Sequence, residues 1–121
     1  MKPPFRDLAQ LDRLIHEPAR LAITSALASC DSADFLFLQR LTGLSKGNLS
    51  SHLSRLEDAG VVEVEKAFEG KTPRTWIRLT STGRDAVASY WKRMDAMRVQ
   101  AEKWRPDPND DDSPWDTRHD E

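Results

Sequence analysis

Between residues 45 and 55 the chain gathers groups that hydrogen-bond without bulk: Ser45, Lys46, Gly47, Asn48, Ser50, Ser51, Ser54 and Arg55. Hydroxyl, amide, ammonium and guanidinium groups on one side of a helix suit the base edges and phosphates of a major groove. The same stretch carries Leu49, Leu53 and Leu56, which fall within about 60° of one another at 100° per residue. The leucines define a buried stripe and the small polar residues the face opposite. A face that merely meets water more often carries Glu and Lys, which favour the helix more than Ser or Gly. Taken alone, the segment fits either a groove-reading helix or an ordinary surface helix rich in serine.

Other chemistries find little support. Cys30 is a lone cysteine, which excludes an internal disulfide and a thiolate-rich zinc cage within one chain. His16, His52 and His119 stand far apart and lack ligand spacing. Cys30 reads as a small packed residue, and His52, at the flank of the leucine stripe, as a packed or phosphate-touching imidazole. Gly70-Lys71-Thr72 is like the end of a phosphate-binding loop, but Glu65 stands where that loop needs its first glycine. Ser45 and His52 are explained by capping and packing, with no third group to orient a base. The expectation is a protein that is not an enzyme, with no metal and no cofactor.

The surrounding elements must position that helix. Asp7 to His16 places Leu8, Leu11, Leu14 and Ile15 at helical spacing. Pro18 suits the first turn of a second helix, with Leu21, Ala22, Ala26 and Leu27 as its apolar side. Asp31 to Asp34 is turn material able to cap a helix from Phe35 to Leu41, which Gly43 ends. Ser45 then caps a helix running to Ala59, with Leu44 and Leu49 at the staple positions and Gly60 as its stop. From Val62 the period changes to two: Val62 to Phe68 alternates, Glu69 to Pro73 is a loop, and Arg74 to Leu79 alternates again. This is a β-hairpin whose tip, with Lys71, Thr72 and Arg74, suits phosphates or a minor groove. Thr80 to Gly83 caps a last helix reaching about Arg105. Helix, tight turn, helix and basic-tipped hairpin, in that order, make a winged helix-turn-helix: mainly α with a small β-hairpin and a long C-terminal helix.

The stretch Phe37 to Gly60 resembles the core of small prokaryotic winged-helix transcriptional regulators of the MarR/ArsR-like kind. So do His16-Glu17-Pro18-Ala19-Arg20-Leu21 ahead of it and Leu79-Thr80-Ser81-Thr82-Gly83-Arg84 behind. The resemblance spans roughly residues 8–105 and implies a homodimeric DNA-binding regulator, a repressor foremost. It implies base-edge contacts from Lys46, Asn48, Ser50, Ser51 and Ser54, and phosphate contacts from Ser45, Arg55 and the wing. The metal-sensing ArsR pattern is not met, because no Cys-x-Cys lies on the recognition helix.

In the last helix Val87, Tyr90, Met94, Met97, Ala101 and Trp104 repeat at 3-4-3-4-3 spacing, with Trp91 broadening the stripe. Such a seam packs on the chain's own first helix or meets a second chain. A helix of about 24 residues is some 36 Å long, more than so small a core covers, so a dimer interface is expected. The competing functional reading is a winged helix that binds protein instead of DNA. A ligand-responsive regulator, with a pocket near the seam, is a third; a small-molecule effector is allowed but not indicated.

At 121 residues the chain is one domain, and a net charge of −2, taken as a whole, is ill suited to a nucleic acid. The charge is partitioned, however. Residues 106–121 hold seven acids and one base, leaving 17 bases and 13 acids in the rest, so a +4 body carries a −6 tail. Arg105-Pro106-Asp107-Pro108 halts the helix. The expected division is a DNA-binding and dimerisation domain over 1–105 and an acidic, flexible tail over 106–121. The tail is a solubilising end, or competes with phosphate for the basic surface. No signal-peptide pattern and no apolar run of membrane-spanning length occur, so the expected address is the cytoplasm, without a membrane partner.

Overall fold

The computed structural model describes residues 12–107 and 109. Helix α1 (Pro18–Ala28) begins where Pro18 cannot donate a hydrogen bond anyway, and Glu17 accepts from the backbone N–H of Ala19 and Arg20. Of the expected helix over 7–16, residues 7–11 lie outside the described residues, and 12–17 form turns instead. Locally, the Asp12 carboxylate accepts from the Leu14 N–H, which favours a turn, and Pro18 holds Glu17 in extended backbone. The buried side of α1 is also shifted from the expected one. Ile23 and Leu27 are in the core with Thr24 and the stem of Arg20, while Ala22 is exposed.

Next come β1 (Ala33–Asp34), α2 (Phe35–Thr42) and α3 (Lys46–Asp58). Gly43 ends α2 at φ 71°, a left-handed position that glycine takes without strain. Ser45 caps α3 by accepting from the Asn48 N–H. Strands β2 (Val62–Glu69) and β3 (Thr72–Leu79) form the hairpin, and α4 (Ser81–Lys103) follows behind the Thr80 cap. Thr72 and Pro73, expected in a loop, belong to β3. The connection is only Gly70-Lys71, with positive φ at Gly70 alone, the pattern of a type II′ turn. The sheet is antiparallel in the order β1-β3-β2, so the hairpin gains a third strand that the sequence left as turn. A two-residue strand has too short a period to betray itself.

One apolar cluster joins these elements. Leu38, Leu49, Leu53 and Leu56 pack with Ile23, Leu27, Ile77 and Leu79. Each such buried side chain contributes about 1.5–3 kcal/mol against its exposed state. Gly83 brings α4 onto the end of α3: a Cβ there would overlap the Val61 carbonyl oxygen, which accepts from the Thr80 N–H.

Candidate nucleic-acid interface

Because Leu49, Leu53 and Leu56 turn inward, α3 must turn its other side outward. Ser45, Lys46, Gly47, Asn48, Ser50, Ser51, Ser54 and Arg55 are all exposed. The two flanks of α3 meet different neighbours. Lys46, Ser50 and Ser54 border a cleft of about 680 Å³, whose far wall is the hairpin with Val64, Lys66 and Thr75. On the opposite flank, His52 faces α1.

That second contact is a polar joint. Arg20, 9% exposed, donates from Nη1 to His52 Nδ1 at 3.2 Å and from Nε to the Leu14 carbonyl at 2.6 Å. A guanidinium only donates, so Nδ1 is the acceptor and the ring proton in this contact sits on Nε2. Glu17 Oε2 stands 3.7 Å from both Arg20 Nη1 and His52 Nδ1. Burial pushes the Glu17 carboxyl upward, but the N–H donors of Arg20 and Ala19 and the nearby Arg20 charge outweigh it and hold it below its ordinary value. The helix that carries the polar face is thereby locked against α1 by charge-assisted contacts as well as by leucines. His52 is thus a packed residue with an exposed edge.

The wing departs from expectation at one residue. Lys71 and Thr72 are exposed at the turn, but Arg74 is half-buried and engaged. Its Nη1 lies 2.9 Å from Asp34 Oδ2, and its Nε 2.9 Å from Glu69 Oε2, the latter without hydrogen-bond alignment. A guanidinium held by two carboxylates is not free to neutralise phosphate, so Arg74 joins the wing to the N-terminus of α2. Lys66, which strand alternation puts on the cleft side of the hairpin, is the exposed cation that sequence reasoning passed over. Its position in the alternating run Val62-Val64-Lys66 was the available signal.

The expected dimer stripe is divided. Val87, Tyr90 and Met97 are 3%, 2% and 8% exposed within the single chain, so these three contribute to its own core instead of offering surface. The Tyr90 hydroxyl is 2.6 Å from His16 Nδ1, and burial raises its pKa. Trp91 is 45% exposed, edge-on to Tyr90; Met94, Ala101 and Trp104 are half-buried. Among the described residues, no helix is long and apolar enough to cross a membrane.

A buried-leucine recognition helix, its preceding helix and a two-stranded wing define a winged helix-turn-helix protein. The family model for a winged helix DNA-binding domain matches residues 19–97, and the chain belongs to that family. It is 31% identical over 78 residues to an uncharacterized protein of Methanocaldococcus jannaschii, an alignment covering 64% of this chain and 85% of the other. A transcriptional regulator homologue protein from Pyrococcus horikoshii OT3 superposes with a TM-score of 0.73 at 26% identity, over 81% of this chain and 96% of that one. A MarR-family transcriptional regulator from Silicibacter pomeroyi shares the fold alone, with a TM-score of 0.59 at 20% identity over 81% of this chain and 63% of that one.

Proposed function

We propose that the chain is a homodimeric, sequence-specific double-stranded DNA-binding regulator that acts by occupying a promoter, as a repressor does. One observation carries this: the outward face of α3, built from small hydrogen-bonding residues, borders the same cleft as the hairpin cation Lys66. In this reading α3 enters the major groove, Lys46, Asn48, Ser50, Ser51 and Ser54 meet base edges, and Ser45, Arg55, Lys66 and Lys71 meet phosphates. Gly47 lets the helix start lie close to the groove floor.

The dimer is supported by α4. Its 23 residues span about 35 Å, and the exposed Trp91 with the half-buried Met94, Ala101 and Trp104 continue beyond Val87 and Tyr90. Two α3 helices related by a two-fold axis would read half-sites about one helical turn apart. The experiment is selection of bound sequences from random duplexes, with titration of the winner at two salt concentrations. A palindromic site and a steep loss of affinity with salt are expected. Recovery of no enriched sequence, with a salt-independent signal, would overturn the proposal.

A further inference from the structure

The wing ends on an aromatic ring. Phe68 is 74% exposed, near the end of β2 and directly opposite Pro73. Strand alternation sets it on the sheet face that runs from Val62 in the core through Val64 to Lys66, the face bordering the cleft against α3. Within the hairpin this face carries no carboxylate. Glu63, Glu65 and Glu69 fall on the other face, where Arg78 and Arg74 hold Glu63 and Glu69.

We infer that Phe68 is a wedge that enters the minor groove beside the major groove occupied by α3, an inference that rests on the DNA-binding function proposed above. Phe68 lies four residue steps along β2 from Val64, about 13 Å at ~3.3 Å per residue. Half a turn of duplex, the distance from a major groove to the neighbouring minor groove, is about 17 Å. The ring makes up much of the difference. Lys66 on the same face and Lys71 at the turn suit the phosphates on either side of a groove. Arg74, the group that would otherwise fill a narrow minor groove, is held by Asp34 and Glu69. An apolar side chain at that place partly unstacks a base step and bends the duplex toward the major groove. A protein partner would also cover a phenyl ring, but it would give the flanking lysines and the acid-free face no role.

The test uses the full chain and the duplex obtained by selection, end-labelled for energy transfer and carrying 2-aminopurine at steps beneath the wing. Wild-type protein should bend the duplex and brighten 2-aminopurine at one step, favoured when that step is TA or CA. Phe68→Ala should weaken binding about tenfold or more, the scale of one base–aromatic stack. It should also return both signals toward the free duplex, while Phe68→Leu keeps part of the bend. A Phe68→Ala protein with wild-type affinity and bend would overturn the wedge and leave groove reading by α3 standing. Loss of self-association in that variant, with DNA signals unchanged, would overturn it in favour of a contact between chains. A wild-type chain that binds no duplex is a separate outcome, since it removes the underlying function itself.

Discussion

Asp34 holds Arg74 at 2.9 Å, and the same carboxylate caps α2 by accepting from the Phe37 N–H. One side chain thus fixes the wing to the helix that precedes the recognition helix. The pair also decides how much positive charge the wing can offer to phosphate, because Glu69 takes the other side of the guanidinium.

Asp34→Asn keeps a good cap, and combined with Glu69→Gln it removes both carboxylates that restrain Arg74. Stability should change by no more than about 1 kcal/mol, as for other partly exposed ion pairs. The freed guanidinium should add a phosphate contact, making the slope of log affinity against log salt steeper by about 0.9 for each protomer. Salt titration of the Asp34→Asn, Glu69→Gln double variant and the wild type reads this directly, and equal slopes would show that Arg74 does not face DNA.

Ser51 points straight away from the leucine stripe and is exposed. Ser51→Glu should leave thermal unfolding within about 0.5 kcal/mol of wild type, since Glu favours helix slightly more than Ser. Duplex affinity should fall by at least about a hundredfold, because like charges brought together across an interface cost several kcal/mol. Undiminished binding would mean that the reading face has been misassigned.

Two glycines should respond with opposite sign. At Gly83 an added Cβ meets the Val61 carbonyl oxygen, so Gly83→Ala should destabilise by about 1–3 kcal/mol as backbone is forced apart. At Gly47 nothing lies within 4 Å, so Gly47→Ala should be neutral or add up to about 1 kcal/mol. Denaturant unfolding of the two variants compares them in one experiment.

Glu17 gives the fold an acid limit. Its folded pKa is depressed below the ordinary 4.5 despite burial, through the Arg20 and Ala19 N–H donors and the Arg20 charge. A depressed carboxyl stabilises the folded state fully above its unfolded pKa and loses that contribution as pH falls through the folded value. Glu17→Gln should therefore be less stable than wild type at neutral pH, and the gap should close below about pH 4.5. Melting temperatures measured from pH 7 to pH 3 follow it, and a gap that stays constant would remove the carboxylate from the joint with Arg20 and His52.

The elements were legible wherever a period or a cap marked them. Leu49, Leu53 and Leu56 with Ser45 ahead and Gly60 behind defined α3 to within a residue at each end, because spacing and capping are local properties. The exposed polar face followed from the same spacing. The turn is the two residues Gly70-Lys71 and not the five from Glu69 to Pro73 that composition suggests, since Thr72 and Pro73 are common in loops and only pairing with Phe68 and Glu69 makes them strand.

Side-chain partners were not legible. Arg74 looked like a phosphate contact because a sequence shows a guanidinium's charge and not the carboxylates that fold against it, one of them 40 residues away. Val87, Tyr90 and Met97 looked like part of a seam between chains because a helical stripe does not say which surface covers it. Nor did anything in the order of residues join Arg20 to His52, which are 32 residues apart. The sequence by itself determined the winged-helix order of elements, the recognition helix with its inward and outward faces, and the opposed charges of body and tail, all set by neighbours within a turn or a strand. Only the tertiary structure decided which cations remain free for phosphate, which aromatics are core, and that Phe68 stands bare on the acid-free face of the wing, because those depend on contacts between segments that meet only when the chain folds.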